Sequence, residues 1–123
     1  MLIQARVAKH EDRRLEVWRI EVARIVDLEE RAGQLVEIIG GYGGLEEIRT
    51  AAADGLPRLQ RDAGRFRRHR AIMQAVRDLH NGLGRLYYDK AHHADCRDTS
   101  AEVCSLYDRL LVECDKVTGK RKA

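Results

Sequence analysis

The sequence predicts an all-α protein, an antiparallel helical hairpin or small helix bundle with a long N-terminal helix. Three observations carry this. Charged residues make up 35% of the chain and aromatics only 5%, a balance suited to solvated helices rather than to a sheet built on β-branched and aromatic residues. Only one proline interrupts 123 residues. Apolar residues recur at spacings of three and four in the opening and closing segments, the period of an amphipathic helix. A chain of this length makes one domain with one modest core. Residues 1–123 are therefore read as a single helical domain, with a flexible basic tail at 118–123.

From about Arg13 to Ile39, Leu15, Trp18, Val22, Ile25, Ala32, Val36 and Ile39 form a heptad-like seam on one helix face. Glu29 falls on that seam. Val17, Ile20, Val26, Leu28, Leu35 and Ile38 widen the apolar surface beyond it, so bundle packing is expected rather than an isolated two-stranded coil. "GGYGG", Gly40 to Gly44, ends this helix and reverses the chain.

"LEEIRTAAADG" reads as a short helix ending near Asp54-Gly55, with Leu45, Ile48 and Ala52 on one side. Pro57 fits the first turn of a following helix that runs to about Ala94. Along that segment the apolar stripe changes face. Leu59, Ala63, Phe66 and Met73 share one side, whereas Ile72, Val76, Leu79 and Leu83 centre a quarter-turn or more away. Either the helix breaks near Gly64, or the arginines stranded on the packing face meet acids on a partner surface. Gly82 and Gly84 weaken helix by about 1 kcal/mol each relative to alanine and mark a kink or a close helix crossing. The last helix is the cleanest: Thr99 and Glu102 fit a capping box, and Val103, Leu106, Tyr107, Leu110, Leu111, Cys114 and Val117 form its apolar face. "GKRKA" follows as a frayed basic end.

Net charge is +3, distributed as −1 over residues 1–44, −2 over 45–56, +6 over 57–90 and 0 over 91–123. The excess is local, and its densest window is "RDAGRFRRHR": Arg61, Arg65, Arg67, Arg68 and Arg70 with His69 around Phe66, and Asp62 as the single acid. Clustered arginines can take phosphates and Phe66 can stack on a base. The simpler reading, a solvated helix face or one paired with Asp27, Glu29, Glu30 and Glu37 of the first helix, ranks above it, because no nucleic-acid-binding motif is present.

Other chemistry is weakly signalled. "GGYGG" lacks the lysine and hydroxyl of a phosphate loop and is followed by Glu46 and Glu47, which repel phosphate. His92, His93 and Cys96, with Cys104 nearby in sequence, lack the recurring tight pairs of structural zinc, so no metal and no cofactor is expected. The histidines read as exposed residues at a helix end. Tyr87 and Tyr88 are expected to divide between core and surface. Nothing resembles a nucleophile elbow or a HExxH helix, so no enzyme is expected. Cys96, Cys104 and Cys114 contain no CxxC pair and suit reduced, buried thiols. With no apolar run of about 18 residues and no signal-peptide pattern, a soluble cytoplasmic protein without membrane contact is expected.

The composite expectation is a non-enzymatic helical adaptor, assembly factor or inhibitor. It would bind a protein partner, and a second copy of itself, through the apolar seam around Trp18 and the arginine-rich stretch of Arg61, Arg65, Phe66, Arg67, Arg68 and Arg70. A nucleic-acid-associated accessory role for the basic stretch is the alternative.

Overall fold

A computed structural model describes residues 2–119, with side chains from Asp12 onward. Four helices pack against one another: α1 (Leu2–Gly40), α2 (Leu45–Arg65), α3 (Arg70–Ala91) and α4 (Arg97–Thr118). Among the described residues there is no strand and no helix long and apolar enough to cross a membrane. The expected small helix bundle is what forms. The part of the expected tail from Lys120 onward lies outside the described residues, whereas Thr118 closes α4 and Gly119 caps it at φ 72°.

Short connections make each helix antiparallel to the next, and cross-helix contacts fix the order. Arg31 of α1 meets Asp62 of α2, while Leu35, further along α1, meets Gly55, earlier in α2. Asp78 and Arg85 of α3 pair with Arg109 and Glu102 of α4, again in opposite order. Tyr107 of α4 donates to the Glu29 carbonyl of α1 at 3.4 Å. Lys90, at the end of α3, donates to the Gly41 carbonyl at 2.7 Å and brings the two loop-bearing ends together. The α1–α2 and α3–α4 loops therefore lie at one end of the bundle, and the α2–α3 turn lies at the other.

The core stripe of α1 is Ile25, Leu28, Ala32, Leu35 and Ile39, all buried. It shares Ile25, Ala32 and Ile39 with the expected seam but takes Leu28 and Leu35 in place of Glu29 and Val36. The apolar surface on either side of α1 is used by two neighbours, α2 and α4, and the bundle axis falls between them.

Two helix boundaries differ from those expected. α2 does not end at Gly55, and it carries Pro57 in its interior. Ile48, Ala52, Leu59 and Ala63 stay in phase and buried across that point. Their burial offsets the roughly 3 kcal/mol that an interior proline costs. Ala53, whose carbonyl loses its donor, is exposed and open to water. Gly55 itself sits where α2 closes on α1, for a Cβ there would stand 2.2 Å from Leu35 Cδ2.

The helix expected from Pro57 to Ala94 is two helices. The break covers residues 66–69, just past Gly64, and removes the change of face noted in the sequence, because Ile72, Ala75, Val76, Leu79, Leu83 and Leu86 belong to a helix with its own orientation. α3 runs unbroken through Gly82 and Gly84. Gly82 is a close crossing, 2.7 Å from Leu106 Cδ1 of α4 if a Cβ is added, whereas Gly84 faces open space.

α3 ends in a Schellman arrangement: Ala94 N–H donates to the Asp89 carbonyl at 2.8 Å and His93 N–H to the Lys90 carbonyl at 3.2 Å, with His93 at φ 54°. The expected capping box does not form. α4 starts at Arg97, Thr99 donates to Asp89 Oδ2 at 2.9 Å, and Glu102 pairs with Arg85.

Candidate protein-binding surface

α1 is nearly twice as long as its neighbours, and its extra length projects past the α2–α3 turn. Residues 12–20 are exposed on every side, and burial begins only at Glu21 and Val22. At 1.5 Å per residue, Asp12 to Ile20 amounts to roughly 13 Å of exposed helix. Leu15, Val17, Trp18 and Ile20 are each about half exposed, with Trp18 at 51%. Among the described residues, nothing within the chain covers them.

The arginine stretch sits where the projection begins. His69 Nε2 lies 3.7 Å from Glu21 Oε1, and the residues of the turn line a groove with Arg24 and Ile25 of α1. The structure thus brings the turn and the base of the projecting helix to one end of the molecule, with Trp18 one helical turn further out.

The members of the stretch separate by role. Phe66 is not available to a partner: it is 6% exposed and belongs to the core, because the chain turns there and drives the ring inward. Arg65 reaches Asp62 at 3.8 Å on its own helix. Arg61, Arg67, Arg68 and Arg70 are exposed and make no ion pair among the described residues. Of the two arrangements expected for these arginines, a solvated face or pairing with Asp27, Glu29, Glu30 and Glu37, the four take the solvated one.

Asp62 is instead the centre of the electrostatics. Its carboxylate is 2% exposed, accepts from Arg31 Nε at 3.1 Å and has Arg31 Nη2 at 3.1 Å from its other oxygen. The sequence held one signal for this: Asp62 falls three residues after Leu59 and four before Phe66, in phase with the apolar face. Arg31 carried no such signal.

The cysteines are not uniformly buried. Cys104 is exposed, Cys96 is partly covered and Cys114 is buried. Burial pushes the Cys114 thiol up to about 12, and the Glu29 carboxylate beside it adds to the shift. His92 Nδ1 lies 2.8 Å from the Tyr88 carbonyl oxygen, and its ring stacks on Tyr88 at 4.0 Å. His92 and His93 are exposed residues at the end of α3. Among the described residues no group of three or more His, Cys, Asp or Glu side chains is placed to hold a metal ion. Tyr87 packs on the core and Tyr88 faces solvent.

What this end of the molecule offers is therefore a projecting helix with half-exposed apolar side chains among charged ones, next to a turn carrying unpaired guanidinium groups. In comparisons with family models, curated proteins and solved structures, the chain matches none.

Proposed function

We propose that the protein is a non-enzymatic helical binding module of the adaptor, assembly-factor or inhibitor kind, which docks protein helices on the projecting half of α1. The observation that carries the reading is Trp18, half exposed with Leu15 on one side of a helix that extends beyond its own bundle, while Val17 and Ile20 are half exposed on the other side. Four large apolar side chains within six residues are costly to leave in water, and each, being half exposed, gains roughly half of the 1.5–3 kcal/mol that full burial brings. A tryptophan on an exposed helix is also the kind of residue that dominates binding energy at interfaces. Arg67 and Arg68 supply charged neighbours at the base of the same surface. Affinity capture from native cells with wild-type and Trp18→Glu baits tests this. A protein recovered by the first and lost with the second supports it; the same set recovered by both overturns it.

Four exposed arginines without carboxylate partners favour a second reading, nucleic-acid association at the α2–α3 turn. Contacts of this kind release counterions and weaken steeply with salt. We expect binding to mixed-sequence DNA and RNA at about 150 mM salt to be weak and non-specific. Tight binding that Arg67→Glu with Arg68→Glu abolishes, at unchanged helix content, reverses the ranking.

A further inference from the structure

We infer that the projecting helix pairs with that of a second copy in antiparallel orientation, so that Leu15 of each chain packs against Trp18 of the other. This rests on the reading of the projection as a docking surface and adds its occupant, orientation and register.

The apolar stripe of the projection is not leftover core. Continued toward the N-terminus at the same spacing, the core stripe of Ile25, Leu28 and Ala32 falls on Glu21, Trp18 and Arg14, two of which are charged. The projection carries its own stripe, Leu15, Trp18 and Val22. Its continuation along α1 passes Glu29, the side on which α4 lies, since Cys114 and Tyr107 both meet α1 there. α4 stops at Thr118, so this side loses its cover from about Val22 outward. Among the residues with described side chains, 12–20 are exposed and Glu21 and Val22 are half-buried, so Leu15 and Trp18 are the members of the stripe left open.

The flanking charges then select one arrangement. With Leu15 and Val22 at heptad position a and Trp18 at d, Asp12 and Arg19 occupy e while Arg14 and Glu21 occupy g. A two-fold axis perpendicular to two antiparallel helices sets e against e and g against g. Centred between Leu15 and Trp18, it places Asp12 opposite Arg19 and Arg14 opposite Glu21, each twice. A slide of one heptad one way sets Arg19 against Arg19 and Glu21 against Glu21. A slide the other way sets Asp12 against Asp12 and Arg14 against Arg14. A parallel pair brings g of one chain to the next e of the other and opposes Arg14 to Arg19. Only the first arrangement is complementary at every flank, and charges at e and g are what set orientation and register in helix pairs.

The contact spans about three helical turns per chain and is small as interfaces go, so micromolar association is expected. Sedimentation equilibrium of the full chain measures it, with circular dichroism to verify helix content. The dimer should weaken about tenfold in Arg19→Glu, which turns two attractive pairs repulsive, and recover in Asp12→Arg with Arg19→Glu. These positions lie outside the core, so the variants keep the bundle intact. Tightening by Arg19→Glu indicates the parallel pair and overturns the inference. So does a mass above that of a dimer, since Val17 and Ile20 on the opposite side would then be covered too, and so does a monomer at every concentration. Loss of the dimer in Trp18→Glu without sensitivity to Arg19→Glu overturns the register while the docking surface stands. A dimer indifferent to both substitutions overturns the register and removes Trp18 from the interface, against the docking reading as well.

Discussion

Asp62 and Arg31 form a bidentate ion pair across the α1–α2 interface, with the carboxylate 2% exposed and the guanidinium side chain 32% exposed. Water reaches one partner and not the other. Loss of the arginine leaves a buried carboxylate with only Arg65, at 3.8 Å, to answer it. Removing one member of a fully buried pair costs about 3–5 kcal/mol, and the partial exposure here reduces that. Arg31→Ala should lower stability by about 2 kcal/mol in urea denaturation, and Asp62→Asn by less, because an amide needs less compensation than a charge. A change below about 0.5 kcal/mol for Arg31→Ala, the range of an ordinary surface substitution, contradicts this account.

Gly82 and Gly84 should respond oppositely to alanine. Both gain helix propensity, about 1 kcal/mol. At Gly84 the new methyl meets nothing within 4 Å, so the melting temperature should rise. At Gly82 the methyl meets Leu106 Cδ1 at 2.7 Å and Val103 Cγ2 at 3.5 Å, where α3 and α4 cross, so the melting temperature should fall. Thermal melts of the two single variants decide it; a rise at Gly82 would mean that Leu106 swings aside at little cost.

The thiols should react in order of exposure, Cys104 first, Cys96 next, and Cys114 only on unfolding, as read by mass spectrometry after timed alkylation. Cys114 also predicts a pH dependence. Its folded value near 12 lies above its ordinary 9.0, so the folded state holds that proton more tightly than the unfolded chain. The contribution is fully present below about pH 9 and is lost as pH rises from there toward 12. Wild-type protein should therefore lose more stability over that range than Cys114→Ala. Parallel losses in the two proteins would show that the thiol is not what titrates.

Deleting residues 1–19 should leave the bundle folded, since residues 12–20 are exposed and the core of α1 begins at Ile25. The melting temperature of the monomer should move by only a few degrees. Concentration-dependent association should vanish. A truncated chain that no longer folds would show that the projecting helix is needed for the bundle itself.

Legibility of the fold followed the strength of the local signal. Helix content, the chain reversal at Gly40 to Gly44 and the amphipathic face of α4 were visible because spacing and glycine chemistry act within a few residues. The change of stripe between Phe66 and Ile72 was visible too, and it located the break without choosing it. Gly55 and Pro57 misled for the converse reason: both oppose helix locally, and only contact with Leu35 together with burial of Leu59 and Ala63 keeps α2 continuous. Of the site residues, Trp18 lies on the exposed projection, while Phe66 lies in the core, a distinction that composition does not carry.

The order of residues by itself determined that this chain is helical, where its apolar faces lie and where its positive charge collects, because periodicity and charge are properties of neighbours along the chain. Tertiary structure alone decided which side of α1 faces the core, that Asp62 is buried and answered by a residue 31 positions away, and that residues 12–20 of α1 extend beyond the bundle. Those outcomes depend on where α2 and α4 end relative to α1. Relative helix length and register are set by packing between elements distant in sequence, and no local pattern encodes them.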